Sequence, residues 1–506
     1  MAQTQLPLGF EEAPALMPPE RASMPQGYTG LYRFHKYWGK KPHEPLAFII
    51  ERLTERGDVV VDPFMGSGVA GRECVLRGRR FIGYDINPFA VELGKLMVHP
   101  PAIEQLRDAA KKLERAARAR IEESYLLEDG RTPATHYLWE GAVLKEVWVR
   151  TRRKTQHQQE YPPTRHDLRL IESLHAYKTR LVRDPVFFTN SRINASPAMN
   201  LSDILTGRAQ HNIDLLIDAI DQCSEEIKPA LRLCLTAASG QMTKMVFAVT
   251  GRGKTSGKLA DKTEVGSWVI GFWRPHQHFE VNVWNCFETR VSKLIKSLAE
   301  HDPLSGARLG RSADDVLLGH ADAFIACGDC RQELRKMPDA SAHLVITDPP
   351  HSDRMPYLEL SEFWNSILGF SADFEREIVH SNARERGKNA QSFRHGLSES
   401  LVEARRVLRA DGILVLLFNA REREEWDALR EVCTSCAGGA PALRYLGFFM
   451  CGYSARSVVQ DNREGSLKSD YALAFARSDT SFQRAQAVLS TLPHWSSELP
   501  THMKAE

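Results

Sequence analysis

The stretch "VVVDPFMGSGVAGRECVLRGRRFIGYDIN", residues 59–87, decides the fold. An apolar run, "DVVVDPF", ends in a glycine turn, a helical pattern "GVAGRECVLRG" follows, and a second apolar run, "RFIGYDI", closes the stretch. That is the strand–helix–strand order of a parallel sheet, whose strands are buried on both faces and so read as continuous hydrophobic runs. Gly66, Gly68 and Gly71 fit G-x-G-x-x-G, and Asp85 ends the second strand about where a ribose-binding acid is expected. The glycines alone leave the ligand open. Any adenosine ligand lying across strand ends needs a backbone free of side chains and a carboxylate for its ribose hydroxyls. A nicotinamide dinucleotide and S-adenosylmethionine both meet that description. For the second, the helix N-terminus would take the methionine carboxylate, and Asp62 would attract the ammonium group directly or through water.

Around this unit, residues 28–125 read as the first half of a doubly wound, Rossmann-like α/β domain, with a helix over 45–55 and a charged helical stretch over 102–123. Residues 126–320 break the alternation with aromatic-rich segments and a helical portion from about 201 to 245, and read as a large mixed α/β insertion. The alternation resumes over 321–480. "DAFIACGDC" (322–330) and "AHLVITDPP" (342–350) read as strands, and a helix "SLVEARRVLRADG", expected to stop at Gly412, leads into the buried strand "GILVLLF". "YLGFFMC" and "DYALAFAR" complete the sheet. Residues 1–27, rich in Pro, Ala and Glu without periodicity, are expected to be mobile, and 481–506 read as a C-terminal tail.

With 506 residues, 42% of them hydrophobic, the chain has material for a large core. No apolar run approaches the roughly 18 residues of a membrane span, and the start lacks the basic and apolar parts of a secretory signal, so a cytoplasmic location without membrane contact is expected. Nine scattered cysteines suit a reducing compartment. A formal net charge of +2 excludes a strongly basic coating protein. Three local clusters, "VRTRRKTQHQQ" (149–159), "TGRGKTSGK" (250–258) and "NARERGKNAQSFRH" (382–395), suit either phosphate tracking or solvated loops. The pairs Cys327/Cys330 and Cys433/Cys436 fall on separate elements, so no shared metal site is expected. "TGRGKT" has Ala248 where a phosphate loop needs its first glycine, and Trp268, Trp273 and Trp284 read as core.

The second informative stretch is "ITDPPHSDRMPYLELSEFW", which places Asp348, Pro349, Pro350 and His351 directly after an apolar strand. Together with "DPFMGSG" it resembles the amino-methyltransferases of nucleic acids, which methylate an exocyclic amine of a base. "FHKYWGKKPHEP" (34–45), "GDCRQELRKMPDASAHLVITDPP" (328–350) and "SLKSDYALAF" (466–475) resemble that family's lead-in, its approach to the catalytic loop and its closing strand. The resemblance implies S-adenosylmethionine as cofactor and no metal. It implies a binding site made by His35, Lys36, Tyr37 and Trp38, by Asp62, Pro63, Phe64, Gly66, Ser67 and Gly68, and by Asp85 and Asn87, with Asp329 facing the adenine ring.

The chemistry of the second motif can be argued independently. An exocyclic amine is a poor nucleophile because its lone pair is delocalised into the ring, and hydrogen-bond acceptors draw that pair out. Asp348 would accept one amine hydrogen and the Pro349 carbonyl the other, in a loop stiffened by two prolines. The base must leave its stack to be reached, and a flat side chain would hold it. His351 stands where the family most often has Tyr or Phe, so either His351 stacks or Tyr357 supplies the ring.

The expectation is a site-specific DNA methyltransferase acting on a flipped-out base, adenine favoured over cytosine because Asp rather than Ser begins the motif, with the insertion reading the target. RNA as substrate, or a non-catalytic DNA-binding role in a defence complex, are the alternatives. A dehydrogenase would leave "TDPPH" idle. "QLPLGF" (Gln5 to Phe10) resembles the hexapeptide that docks bacterial repair proteins on the sliding clamp, and a restriction or defence partner is a further expectation.

Overall fold

The computed structural model describes residues 16–25, 27–150, 158–249, 263–268, 270–301, 304, 306–351, 355–420, 423–434, 442–452, 469–498 and 500. "QLPLGF", "TGRGKTSGK", Cys436, the centre of the 149–159 cluster and the start of "SLKSDYALAF" lie outside them. The chain forms two compact units: residues 1–100, 300–358 and 372–506, and residues 101–299 with 359–371.

The first unit is built on a seven-stranded sheet. Its strands are β1 (Val59–Asp62), β2 (Arg80–Asp85), β3 (Ala323–Cys327), β4 (Ala342–Thr347), β5 (Leu408–Phe418), β6 (Arg444–Gly452) and β7 (Ser469–Ala476), in the order β6-β7-β5-β4-β1-β2-β3. All neighbours from β3 through to β5 pair in parallel; β7 runs antiparallel to β5 and to β6. This is the mainly parallel, Rossmann-like α/β architecture expected from residues 59–87. The period of two along each strand divides the packing. Val59, Val61, Ile82, Tyr84, Val345, Leu414 and Leu416 share one core with Leu397, Leu401 and Trp426 of the helices Ala390–Val407 and Arg423–Thr434. Phe81 alternates with these and lies against Gly71 in the helix Val69–Leu76. A Cβ on Gly71 would come within 2.7 Å of the Phe81 ring, so the third glycine of the motif is needed for helix-to-sheet packing.

Register then fixes where the strands end. Asp62 pairs with Gly83, Val61 with Val345 and Thr347 with Leu416, so the carboxyl ends of β1, β2 and β4 finish side by side. The order reverses between β1 and β4, where an open α/β sheet leaves a crevice for a ligand.

Several boundaries differ from expectation. The helix before β5 ends at Val407 rather than at Gly412, because Leu408 already pairs with Ala342 and its side chain lies where a Cβ on Gly412 would fall. Within the stretch expected to be mobile, Pro19–Ser23 form a helical turn with Ala22 buried, and the Met17 N–H donates to Glu51 at 2.6 Å. The C-terminal stretch carries the helix Asp479–Leu489, and Ser496 exchanges two backbone hydrogen bonds with Phe448 of β6. The helix Ile103–Glu123, expected in the first α/β half, belongs to the second unit: its apolar face, from Leu106 to Ile121, packs on the helix Gly207–Asp221.

The second unit contains an antiparallel sheet in the order Gln158–Tyr161, Val143–Arg150, His136–Glu140, Gln277–Val281. Its interior holds a buried ion pair, Arg208 to Glu280 at 2.9 Å, with the guanidinium against the rings of Tyr125 and Tyr137. Trp284 is core, whereas Trp273 is 53% exposed. No described helix is long and apolar enough to cross a membrane.

Candidate active site

A single cleft of about 960 Å³, counted out to where it opens to solvent, runs over the strand ends of the first unit. It gathers both sequence motifs. Asp62 at the end of β1 and Pro63, Phe64, Gly66 and Ser67 of the glycine turn line it, as do Asp85 at the end of β2 and Asn87 beyond it, Asp329 after β3, and Asp348 and Pro350 after β4. Tyr37 and Trp38 of the lead-in and Tyr357 also face it. His35, Lys36, Gly68, Pro349 and His351 are not among the residues that line it. His35 packs its ring 4.8 Å from Phe89, and Lys36 lies over the Trp38 ring.

The turn is held by geometry that only glycine supplies. Gly66 and Gly68 have φ of 54° and 77°, and a Cβ on Gly68 would sit 2.6 Å from the Gly94 Cα. With the turn fixed, the Gly66 N–H donates to Asp85 Oδ2 at 2.7 Å and the Asn87 N–H to Asp85 Oδ1 at 2.8 Å. Burial pushes the Asp85 carboxyl up to about 6 against those two hydrogen bonds. Asn87 in turn caps the helix Pro88–Val98, accepting from the Phe89 N–H, with Pro88 at its first position.

Asp62 is 5% exposed and accepts from the Thr347 hydroxyl at 2.6 Å and the Phe64 N–H at 3.1 Å. Burial raises its carboxyl to about 7, and the nearby carboxylates of Asp348 and Asp85 push the same way. A cation bound in the cleft would relieve both effects. Asp329 caps the helix Cys330–Arg335 and is gripped by the Arg331 guanidinium at 2.8–3.1 Å. Tyr37 and Tyr357 lie nearly parallel, 24° apart with centroids 6.3 Å apart. Among the described residues, no group of three or more His, Cys, Asp or Glu side chains is placed to hold a metal ion.

Residues 16–96 match the family model N6_N4_Mtase, described as a DNA methylase. This segment belongs to the DNA methylase family. The matched methylase segment carries β1, the glycine turn and β2, and so half of the cleft wall. Among curated proteins, the chain is 31% identical over 77 residues to the type II methyltransferase M.MjaII of Methanocaldococcus jannaschii, covering 15% of this chain and 14% of that protein. It is 40% identical over 57 residues to the type II methyltransferase M2.DpnII of Streptococcus pneumoniae (10% and 21%). It is 40% identical over 55 residues to the DNA adenine methyltransferase YhdJ of Escherichia coli (11% and 19%). The chain thus spans about a fifth or less of the length of these relatives.

Sequence reasoning passes over two residues at the cleft. Lys41, in the lead-in, places Nζ 3.1 Å from Asp348 Oδ1 and 2.5 Å from Asp470 Oδ2. Both fall inside quoted segments, "FHKYWGKKPHEP" and "SLKSDYALAF", but nothing in one sequence tells which lysine of "GKKP" turns inward. The available signal is a charged residue, Asp470, heading the otherwise apolar "YALAF".

Proposed function

We propose that the chain is a DNA methyltransferase that uses S-adenosylmethionine to methylate an exocyclic amine of a flipped-out base, adenine favoured over cytosine. The observation that carries this reading is the shared cleft: Gly66 and Asp348, far apart in sequence, line one cavity at the switch point of the sheet. The cavity suits the cofactor. Its carboxylates Asp62, Asp85 and Asp348 suit a ligand with an ammonium, ribose hydroxyls and a sulfonium.

When bound, S-adenosylmethionine supplies an electrophilic methyl group. The glycine turn and the N-terminus of Val69–Leu76 would face its carboxylate, Asp62 its ammonium and Asp85 its ribose hydroxyls. Asp348 would accept a hydrogen bond from the target amine and stabilise the positive charge that grows on the nitrogen. His351 is buried beside Lys41 and Asp470 and does not line the cleft, while Tyr357 does; Tyr357 is therefore our choice for the ring that stacks on the base. The second unit, with its exposed Trp273, is our candidate for target recognition.

Tritiated methyl transfer to unmodified DNA and to tRNA, with the wild type and Asp348→Ala, tests the reading. Label in DNA that the substitution abolishes supports it; label in tRNA alone moves the substrate to RNA. A wild type inactive on every nucleic acid, or an equally active variant, overturns it.

A further inference from the structure

Beside the Asp348 wall of the cleft lies a charged cluster that neither motif announces. Lys41, 6% exposed, reaches in from the lead-in, and Asp470, 1% exposed, comes from β7; the two pair at 2.5 Å. The same Nζ is 3.1 Å from Asp348 Oδ1 and 3.4 Å from His351 Nε2. His351 Nε2 completes the group at 3.6 Å from Asp348 Oδ1 and 3.8 Å from Asp470 Oδ1. Three segments remote in sequence are thus joined through one ammonium group.

The charges decide what this cluster does. A buried lysine paired with Asp348 alone would cancel the carboxylate charge that the target amine must meet, and would work against positive charge growing on the nitrogen. A second carboxylate removes the conflict. With Asp470 at the shorter distance, Lys41 is shared between two carboxylates, and these groups still carry a net negative charge when His351 is neutral. Resting on the methyl-transfer reading above, we propose that Lys41 and Asp470 act as a positioning pair: Lys41 fixes the Asp348 carboxylate toward the cleft, and Asp470 supplies the counter-charge that leaves Asp348 able to accept from the amine. In this arrangement Lys41, which lines the cleft next to Asp348, and Asp470 behind the pair act through the Asp348 carboxylate.

The test measures single-turnover methyl transfer to DNA and, separately, S-adenosylmethionine affinity by calorimetry. The variants are Lys41→Met, Lys41→Arg, Asp470→Asn and the double variant Lys41→Met/Asp470→Asn. The expected result is a loss of roughly 100-fold in transfer rate for Lys41→Met, with cofactor Kd within about threefold of wild type. Lys41→Arg should keep the rate within about tenfold. The double variant should be faster than Lys41→Met alone, because removing Asp470 relieves the carboxylate repulsion left at Asp348. A purely structural role predicts the opposite order, with the double variant the slowest and cofactor affinity lost in parallel, and that result overturns the inference. So does a Lys41→Met variant with wild-type rate. A wild type that binds cofactor but methylates no DNA removes the functional reading and the inference with it, an outcome distinct from an active wild type indifferent to Lys41.

Discussion

Replacing Asp62 by Asn is expected to make the protein more stable and a weaker cofactor binder at once. The folded protein holds the Asp62 proton up to about pH 7, whereas an aspartate in an unfolded chain titrates near about 3.9. The folded state therefore binds this proton more tightly than the unfolded one. The stability that protonation contributes is complete below about pH 4, declines as pH rises, and is gone above about pH 7. There the ionised carboxylate costs up to roughly 4 kcal/mol, since each tenfold difference in proton affinity between the two states is worth about 1.4 kcal/mol. Because Asp62 is buried, little of this is screened by solvent. Asn keeps an acceptor oxygen for the Thr347 hydroxyl and the Phe64 N–H while removing the charge. Urea unfolding at pH 8 should find Asp62→Asn more stable by roughly 2–4 kcal/mol, with the gap closing toward pH 4. Calorimetry should find S-adenosylmethionine bound roughly 10- to 100-fold more weakly, the equivalent of about 1.4–2.8 kcal/mol for a lost charged contact. A variant no more stable than wild type at pH 8, with unchanged cofactor affinity, would refute the reasoning.

Three further outcomes follow from the same geometry. Gly68→Ala must place a side chain at φ 77° with its Cβ 2.6 Å from the Gly94 backbone, so it should lose roughly 2–5 kcal/mol in urea unfolding; a change under about 0.5 kcal/mol would contradict the turn geometry. Cofactor affinity should rise with pH as Asp85 and Asp62 ionise, near about 6 and about 7, and level off above; a flat binding profile from pH 5 to 8 would show that neither carboxylate meets the ligand. Tyr357→Ala should weaken binding of DNA carrying 2-aminopurine at the target by roughly 5- to 100-fold and abolish its fluorescence rise, while Tyr357→Phe retains both; equal behaviour of the two variants would remove the stacking role.

The strands and the glycine turn are legible in the sequence because their causes are local. Buried parallel strands read as apolar runs, and the glycine spacing follows from one tight turn and one close helix contact, at Gly68 and Gly71. The end of the helix before β5 is not legible, since Leu408 is as good a helix former as its neighbours and only its pairing with Ala342, in another segment, draws it into the sheet. The long helix Ile103–Glu123 has a clear amphipathic pattern, but a pattern names a buried face and not its partner, which is why sequence order alone places it in the wrong unit. The same limit hides Lys41 and Asp470. Their pairing joins the lead-in to the last strand, and a charge that is buried because a distant residue matches it looks, in sequence, like any surface charge.

The structure of the protein bound to a non-reactive analogue of S-adenosylmethionine tests the central claim most directly. The account predicts an amino-acid tail at Asp62 and the Gly66 turn, ribose hydroxyls on Asp85, and the position of the transferable methyl facing the Asp348 carboxylate. An analogue bound away from this cleft, or seated in it with that position pointing away from Asp348, would contradict it.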